Sequence, residues 1–102
     1  MKVTLTGRHV EITPSLREFT LRKVSKLDEF FPTLRTVHAI LSVEKYRHTA
    51  ELSFKAAGRA LTARKTTKDM YASIEEAVQA LTRKEARLKD RLRSQSARRG
   101  RG

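Results

Sequence analysis

A chain of 102 residues with 38% apolar side chains can close one modest core, which makes it a single domain. Its 23 Lys and Arg against 11 Asp and Glu give a formal net charge of +12 and a pI near 10.9, so the expected partner is a polyanion, nucleic acid ahead of an acidic membrane surface. The lack of cysteine excludes disulfides and thiolate metal sites, no run reaches the roughly 20 apolar residues of a spanning helix, and the opening MKVTLTG has no apolar signal core, so a cytoplasmic protein is expected.

Residues 2–7 alternate, with Val3 and Leu5 on one face and Lys2, Thr4 and Thr6 on the other, which predicts a half-buried strand ending at Gly7. Thr13-Pro14-Ser15 marks a helix start, with Thr13 as N-cap and Pro14 at the first helical position. Ser15 with Glu18 also fits a capping box, which leaves two candidate starts. Leu16, Phe19, Val24, Leu27, Phe30 and Phe31 then recur at helical spacing until Pro32 stops the run.

From Thr36 the period changes to two. Val37, Ala39, Leu41 and Val43 face one way, with His38, Ile40, Ser42 and Glu44 opposite. Residues 46–48 are expected to turn the chain into a strand carrying Ala50, Leu52, Phe54 and Ala56 on its apolar face. Ala57-Gly58-Arg59 then predicts a hairpin into a further strand with Leu61 and Ala63. The polar second face of these three consecutive antiparallel strands predicts a sheet covered on one side only.

A second helix begins near Thr67 to Asp69, with Met70, Tyr71, Ile74, Val78, Leu81, Leu88 and Leu92 along its apolar side. Residues 94–102 have no apolar anchor and are expected to be disordered when free. The expectation is therefore an α+β fold of order β-α-β-β-β-α, a four-stranded sheet with two helices packed on one face. It occupies residues 1–93, followed by a disordered basic tail over 94–102.

The charge is uneven. Arg83, Lys84, Arg87, Lys89, Arg91, Arg93, Arg98, Arg99 and Arg101 stand against Glu85 and Asp90 in the last twenty residues, which carry +7 of the +12. Arg83, Arg87 and Arg91 are spaced i, i+4, i+8 with Lys84 beside them, forming one ridge along the second helix. Like charges at this spacing cost a few tenths of a kcal/mol per pair, roughly, in an isolated helix, which favours a phosphate-binding ridge over a merely solvated face. On the first helix Lys23 falls within the apolar sector, with Arg22 and Lys26 on the adjoining flank. Its methylenes can cover the core while the ammonium reaches out, and the three cations are expected to meet the second-helix ridge across a groove.

Arg8 and His9, after the first strand, could touch a phosphate or a base, although a lone loop histidine is more often simply exposed. Tyr46 could stack on bases, whereas Tyr71, beside Met70 and Ile74, is expected to be structural. The open sheet face lacks the aromatic cluster used by readers of single strands. No Gly-rich phosphate loop, metal-ligand spacing or activated nucleophile is present, so no catalysis, cofactor or metal is expected. Adjacent Glu75 and Glu76 point apart on a helix, and Glu44, His38 and His48 read as polar residues of the open sheet face.

Three segments carry a resemblance. Leu5-Thr6-Gly7-Arg8-His9-Val10-Glu11-Ile12-Thr13-Pro14, Glu44-Lys45-Tyr46 and Asp69-Met70-Tyr71-Ala72-Ser73-Ile74 together resemble the ribosome hibernation promoting factor family, which includes the ribosome-associated translation inhibitor. The likeness runs from about residue 2 to residue 92; the combination is specific, each piece alone weak. It implies a fold similar to double-stranded-RNA-binding domains and a non-enzymatic factor of stress or stationary phase. Such proteins bind the small ribosomal subunit between head and body, cover the sites for messenger and transfer RNA, and keep ribosomes inactive. A basic wedge reading rRNA through phosphates and shape suits that task.

The resemblance matches Arg83 and Arg87 to basic positions of the family's second helix, with Arg8, Lys23 and Lys26 as companions. The expected RNA-binding set is Arg8, Arg22, Lys23, Lys26, Arg83, Lys84, Arg87 and Arg91. Ala80 stands where relatives often carry lysine, and Glu85 where an apolar residue is common. The expected partners are small-subunit rRNA and ribosomal proteins, with no membrane, and the free protein is expected to be a monomer. The chain resembles the short type, or the N-terminal domain of a long member with a C-terminal dimerisation domain. A tail of about nine residues reaches at most about 30 Å, which favours the dimer-promoting short form over one that holds single ribosomes. The alternative function is a general duplex-RNA-binding module not dedicated to ribosomes.

Overall fold

Among the described residues seven segments follow one another: β1 (Lys2–Arg8), α1 (Pro14–Val24), a 3-10 turn (Ser25–Glu29), β2 (Thr36–Glu44), β3 (Arg47–Ala56), β4 (Arg59–Thr67) and α2 (Met70–Arg101). The computed structural model describes residues 2–29, 36–56 and 58–101, with the side chains of α2 described as far as Arg87. Phe30, Phe31 and Pro32, read above as the end of the first helix, lie outside the described residues, as does Ala57 of the hairpin link.

The sheet has the order β1-β2-β3-β4, with β1 parallel to β2 and the other two pairings antiparallel. A parallel pair needs a crossover, which α1 supplies. Period-two alternation buries Val37, Ala39, Leu41, Ala50, Leu52, Phe54 and Ala63 on the face beneath the helices, with Val3, Leu5, Val43 and Leu61 packed at its margin. The open face carries cross-strand rows such as Arg8–Ser42–Thr49–Thr66 and Thr6–Ile40–Glu51–Arg64.

His48 departs from expectation. The turn between β2 and β3 is the two-residue Lys45-Tyr46, with Lys45 at φ 56°, so Arg47 and His48 already belong to the strand. His48 pairs with Val43 and shares the helix-covered face with Ala50 and Leu52, its Nδ1 buried. It is not an open-face residue: β3 begins at Arg47, and a strand position two before Ala50 lies on the same face as Ala50.

The first helix starts at Thr13, whose Oγ1 accepts from Leu16 N at 3.1 Å, with Pro14 in the first turn. Leu16, Thr20 and Val24 form its buried side, and Thr20 satisfies its hydroxyl by donating to Leu16 O at 2.8 Å. After Val24 the chain tightens into the 3-10 turn, which still buries Leu27. Before α1, Gly7 permits a close fold-back: a Cβ there would stand 2.6 Å from Val10 O and 3.0 Å from the Ile12 side chain.

The start of α2 is pinned by polar contacts. Asp69 accepts from Tyr71 N at 3.4 Å and Ala72 N at 3.3 Å, while buried Ser73 donates to His48 O at 2.6 Å and touches Thr67 Oγ1 at 2.7 Å. Beyond this anchor Met70, Ile74, Ala77, Val78, Leu81 and Glu85 are buried as α2 crosses β3 and β4. The helix does not stop near Arg93 but continues to Arg101, through the segment expected to be a disordered tail. Ser94 to Arg99 contains neither Pro nor Gly and several good helix formers, so nothing local breaks the run before Gly100.

Candidate nucleic-acid interface

β1 and β4, the two outer strands, run parallel and finish at the same end of the sheet, so α1 and α2 start from that end and run in the same direction. Two contacts show their alignment. Phe19 meets Tyr71 edge to face with ring centroids 4.9 Å apart, and four residues further along each helix Lys23 Nζ lies 3.4 Å from Glu75 Oε1. Successive turns therefore face each other, and a groove opens beyond the aromatic pair.

That groove has a volume of about 560 Å³ and brings Lys23, Lys26 and Arg83 together, with Glu75, Gln79 and Thr82 between them over Val78. Lys23 takes the snorkelling position expected of it: its side chain is only 20% exposed, and the ammonium sits 5.5 Å from the Phe19 ring centroid. Three cations, Lys23 on α1, Lys26 on the 3-10 turn that follows it and Arg83 on α2, make a concave, positively charged surface suited to phosphate oxygens. Glu75, Gln79 and Thr82 were absent from the expected set. Their spacing along α2 leads up to Arg83, and following that stripe back from Arg83 would have found them.

The other expected residues do not converge there. Arg22 lies outside the groove, its guanidinium 5.6 Å from the Phe19 centroid beside a depression formed with Pro14, Arg17 and Leu21. Lys84 reaches the opposite way, donating from Nζ to Thr62 O on β4. Arg87 is exposed one helical turn beyond Arg83. The Arg91 side chain lies outside the described residues, although its backbone continues α2. Arg8 is exposed at the end of β1, in the open-face row with Ser42, Thr49 and Thr66. The expected ridge is thus a groove with flanking cations, and Arg8 belongs to a separate surface.

Tyr71 is 39% exposed and engaged with Phe19, as its place beside Met70 suggested, while Tyr46 stands 72% exposed at the β2–β3 turn. The two positions expected to depart from the family pattern are both covered: Ala80 is 9% exposed and Glu85 fully buried. Among the described residues no group of three or more His, Asp or Glu is placed to hold a metal ion, and no helix is long and apolar enough to cross a membrane.

Residues 3–93 match the family model described as Sigma 54 modulation protein / S30EA ribosomal protein. The chain belongs to this family. It is 37% identical over 93 residues to the ribosome hibernation promoting factor of Escherichia coli K12, covering 91% of this chain and 98% of that protein. The factor of the same name from Pseudomonas putida KT2440 is 31% identical over 94 residues, 92% of each chain. Among solved structures, the N-terminal domain of Thermus thermophilus Protein Y superposes with a TM-score of 0.79 at 27% identity, covering 86% of this chain and 99% of that one. A ribosomal subunit interface protein from Coxiella burnetii shares the fold with a TM-score of 0.83 at 24% identity, covering 88% and 99%. The family fold is the β-α-β-β-β-α arrangement anticipated from the sequence.

Proposed function

We propose that this protein is a ribosome-binding hibernation factor of the cytoplasm, monomeric when free, which seats its α1/α2 groove on small-subunit rRNA. There it occupies the channel for messenger and transfer RNA and keeps the ribosome inactive without catalysing a reaction. The observation that carries the reading is the meeting of Lys23, Lys26 and Arg83 in one groove, in a chain 37% identical to a protein named for ribosome hibernation and aligned over 98% of its length. Cations fixed on helices locked by core packing present charge at set distances, which suits a folded RNA whose phosphates are themselves fixed. Arg87 extends the contact along α2 and Arg22 flanks it, while Lys84 is turned toward Thr62 on β4.

Co-sedimentation with ribosomes at moderate salt tests this. The wild-type protein is expected to pellet with the small subunit and to lower translation in a reconstituted system. The Lys26→Glu, Arg83→Glu double variant is expected to stay in the supernatant and leave translation unchanged. Equal pelleting of both proteins removes the groove from the contact, and equal affinity for arbitrary RNA duplexes and for small subunits replaces the reading with a general duplex-RNA binder.

A further inference from the structure

Glu75 is the anomaly of the groove. It places a carboxylate between cations, 3.4 Å from Lys23 Nζ, and is itself 49% exposed and open to anything that enters. A phosphate approaching Lys23 must compete with this carboxylate and is repelled by it. Thr82 adds a second acceptor, because its hydroxyl hydrogen is already donated to Val78 O at 2.8 Å. The groove therefore combines cationic donors at Lys26 and Arg83 with acceptors at Glu75 and Thr82.

A ligand that offers only phosphates satisfies half of that set. Along a nucleic-acid backbone the 2′-hydroxyl of ribose can donate a hydrogen bond, and it lies beside the phosphate. We propose that the groove is a ribose–phosphate site in which Glu75 accepts from a 2′-hydroxyl while Lys26 and Arg83 hold the neighbouring phosphates. Glu75 thereby selects RNA against polyanions that lack this donor. The proposal rests on the docking of the groove on RNA and names the residue that makes the docking selective. The selection is largely by rejection: the carboxylate weakens every ligand that cannot donate to it, and a matching donor restores the loss.

The test compares an A-form RNA duplex with its fully 2′-fluoro counterpart, which keeps the helix form and phosphates but has no 2′ donor. Affinities are measured at low salt for the wild-type protein, Glu75→Ala, and Glu76→Ala, whose equal charge change falls at an exposed position outside the groove lining. The wild type and Glu76→Ala are expected to prefer RNA by roughly fivefold, the worth of one hydrogen bond. Glu75→Ala is expected to bind both duplexes alike, through tighter binding of the 2′-fluoro form. Equal binding of the two by the wild type, no binding of either, or a preference kept by Glu75→Ala overturns the proposal. The Lys26→Glu, Arg83→Glu variant separates the layers. If it binds RNA as the wild type does, phosphate docking in the groove fails; if it is weakened while Glu75→Ala keeps the preference, only the role of Glu75 falls.

Discussion

Phe19 and Tyr71 meet edge to face at 4.9 Å with an interplanar angle of 79°, and this contact joins the two basic helices one turn before the Lys23–Glu75 ion pair. The ring of Phe19 also lies close to the cations of Arg22 and Lys23, so one side chain orders both the packing and the charge of α1. Phe19→Ala is expected to cost about 1–3 kcal/mol, from lost burial and lost aromatic and cation–π contacts. Urea denaturation measures the stability loss. Ribosome binding at a temperature where the variant is still folded is expected to weaken as well, because Lys23 loses its platform.

The groove cations and Arg8 are expected to separate by salt dependence. Each phosphate contact contributes about 0.9 to the slope of log affinity against log salt on a duplex. Arg83→Ala is expected to lower that slope by about one contact, measured by RNA-duplex titration at several salt concentrations. Arg8→Ala, on the open sheet face, is expected to change the slope less. A larger effect at Arg8 would move the principal contact to the sheet.

The polar anchor at the start of α2 carries a stability prediction. Ser73→Ala removes a buried hydroxyl that donates to His48 O and touches Thr67, and is expected to cost about 1–3 kcal/mol. Asp69→Ala removes the cap over Tyr71 N and Ala72 N, at about 1 kcal/mol. Thermal unfolding of each variant checks the order of the two effects.

Gly7→Ala is expected to be more damaging than its exposed position suggests, at about 1–3 kcal/mol. The added Cβ would meet the backbone carbonyl of Val10 at 2.6 Å, and a carbonyl cannot swing aside as a long side chain can. Chemical denaturation of the variant gives the value, and an unchanged midpoint contradicts the close approach.

Hydrogen exchange along α2 tests the expectation for its end. Amides around Ile74 to Leu81, buried against β3 and β4, are expected to exchange slowly. Those of residues 94–101, helical but without an apolar anchor in the sequence, are expected to exchange fast by fraying in the free protein and to be protected on the ribosome. Strong protection of both stretches in the free protein contradicts a helix end that is held only when bound.

Most of the core was legible because it follows from periodicity. Val37, Ala39 and Leu41 announce their face by alternation, Thr13-Pro14 announces a helix start by chemistry, and Lys23 stands out as a cation in an apolar sector. The parallel pairing of β1 with β2 was not legible, since it depends on how a crossover closes over distance. His48 was misplaced because it was assigned to the turn, whereas the strand starts at Arg47 and extends the Ala50–Leu52 period back to it. Arg22 and Lys84 are neighbours of groove residues, but adjacent positions on a helix point about 100° apart, and only packing decides which of them looks across and which away. Glu75 was seen only as one of a divergent pair, because its ion pair joins residues 52 positions apart.

The crossover that joins β1 to β2 also bears on the order of assembly. β2, β3, β4 and α2 are linked by short turns and can assemble from contacts local in the chain, whereas β1 pairs with β2 across an intervening segment of 27 residues, Arg8 to Thr36. By that locality Lys23 and Lys26 are expected to join late and Arg83 early. A partly folded chain, however basic, presents its charges without their spacing. Full affinity for a structured target therefore arises only when the last strand has docked.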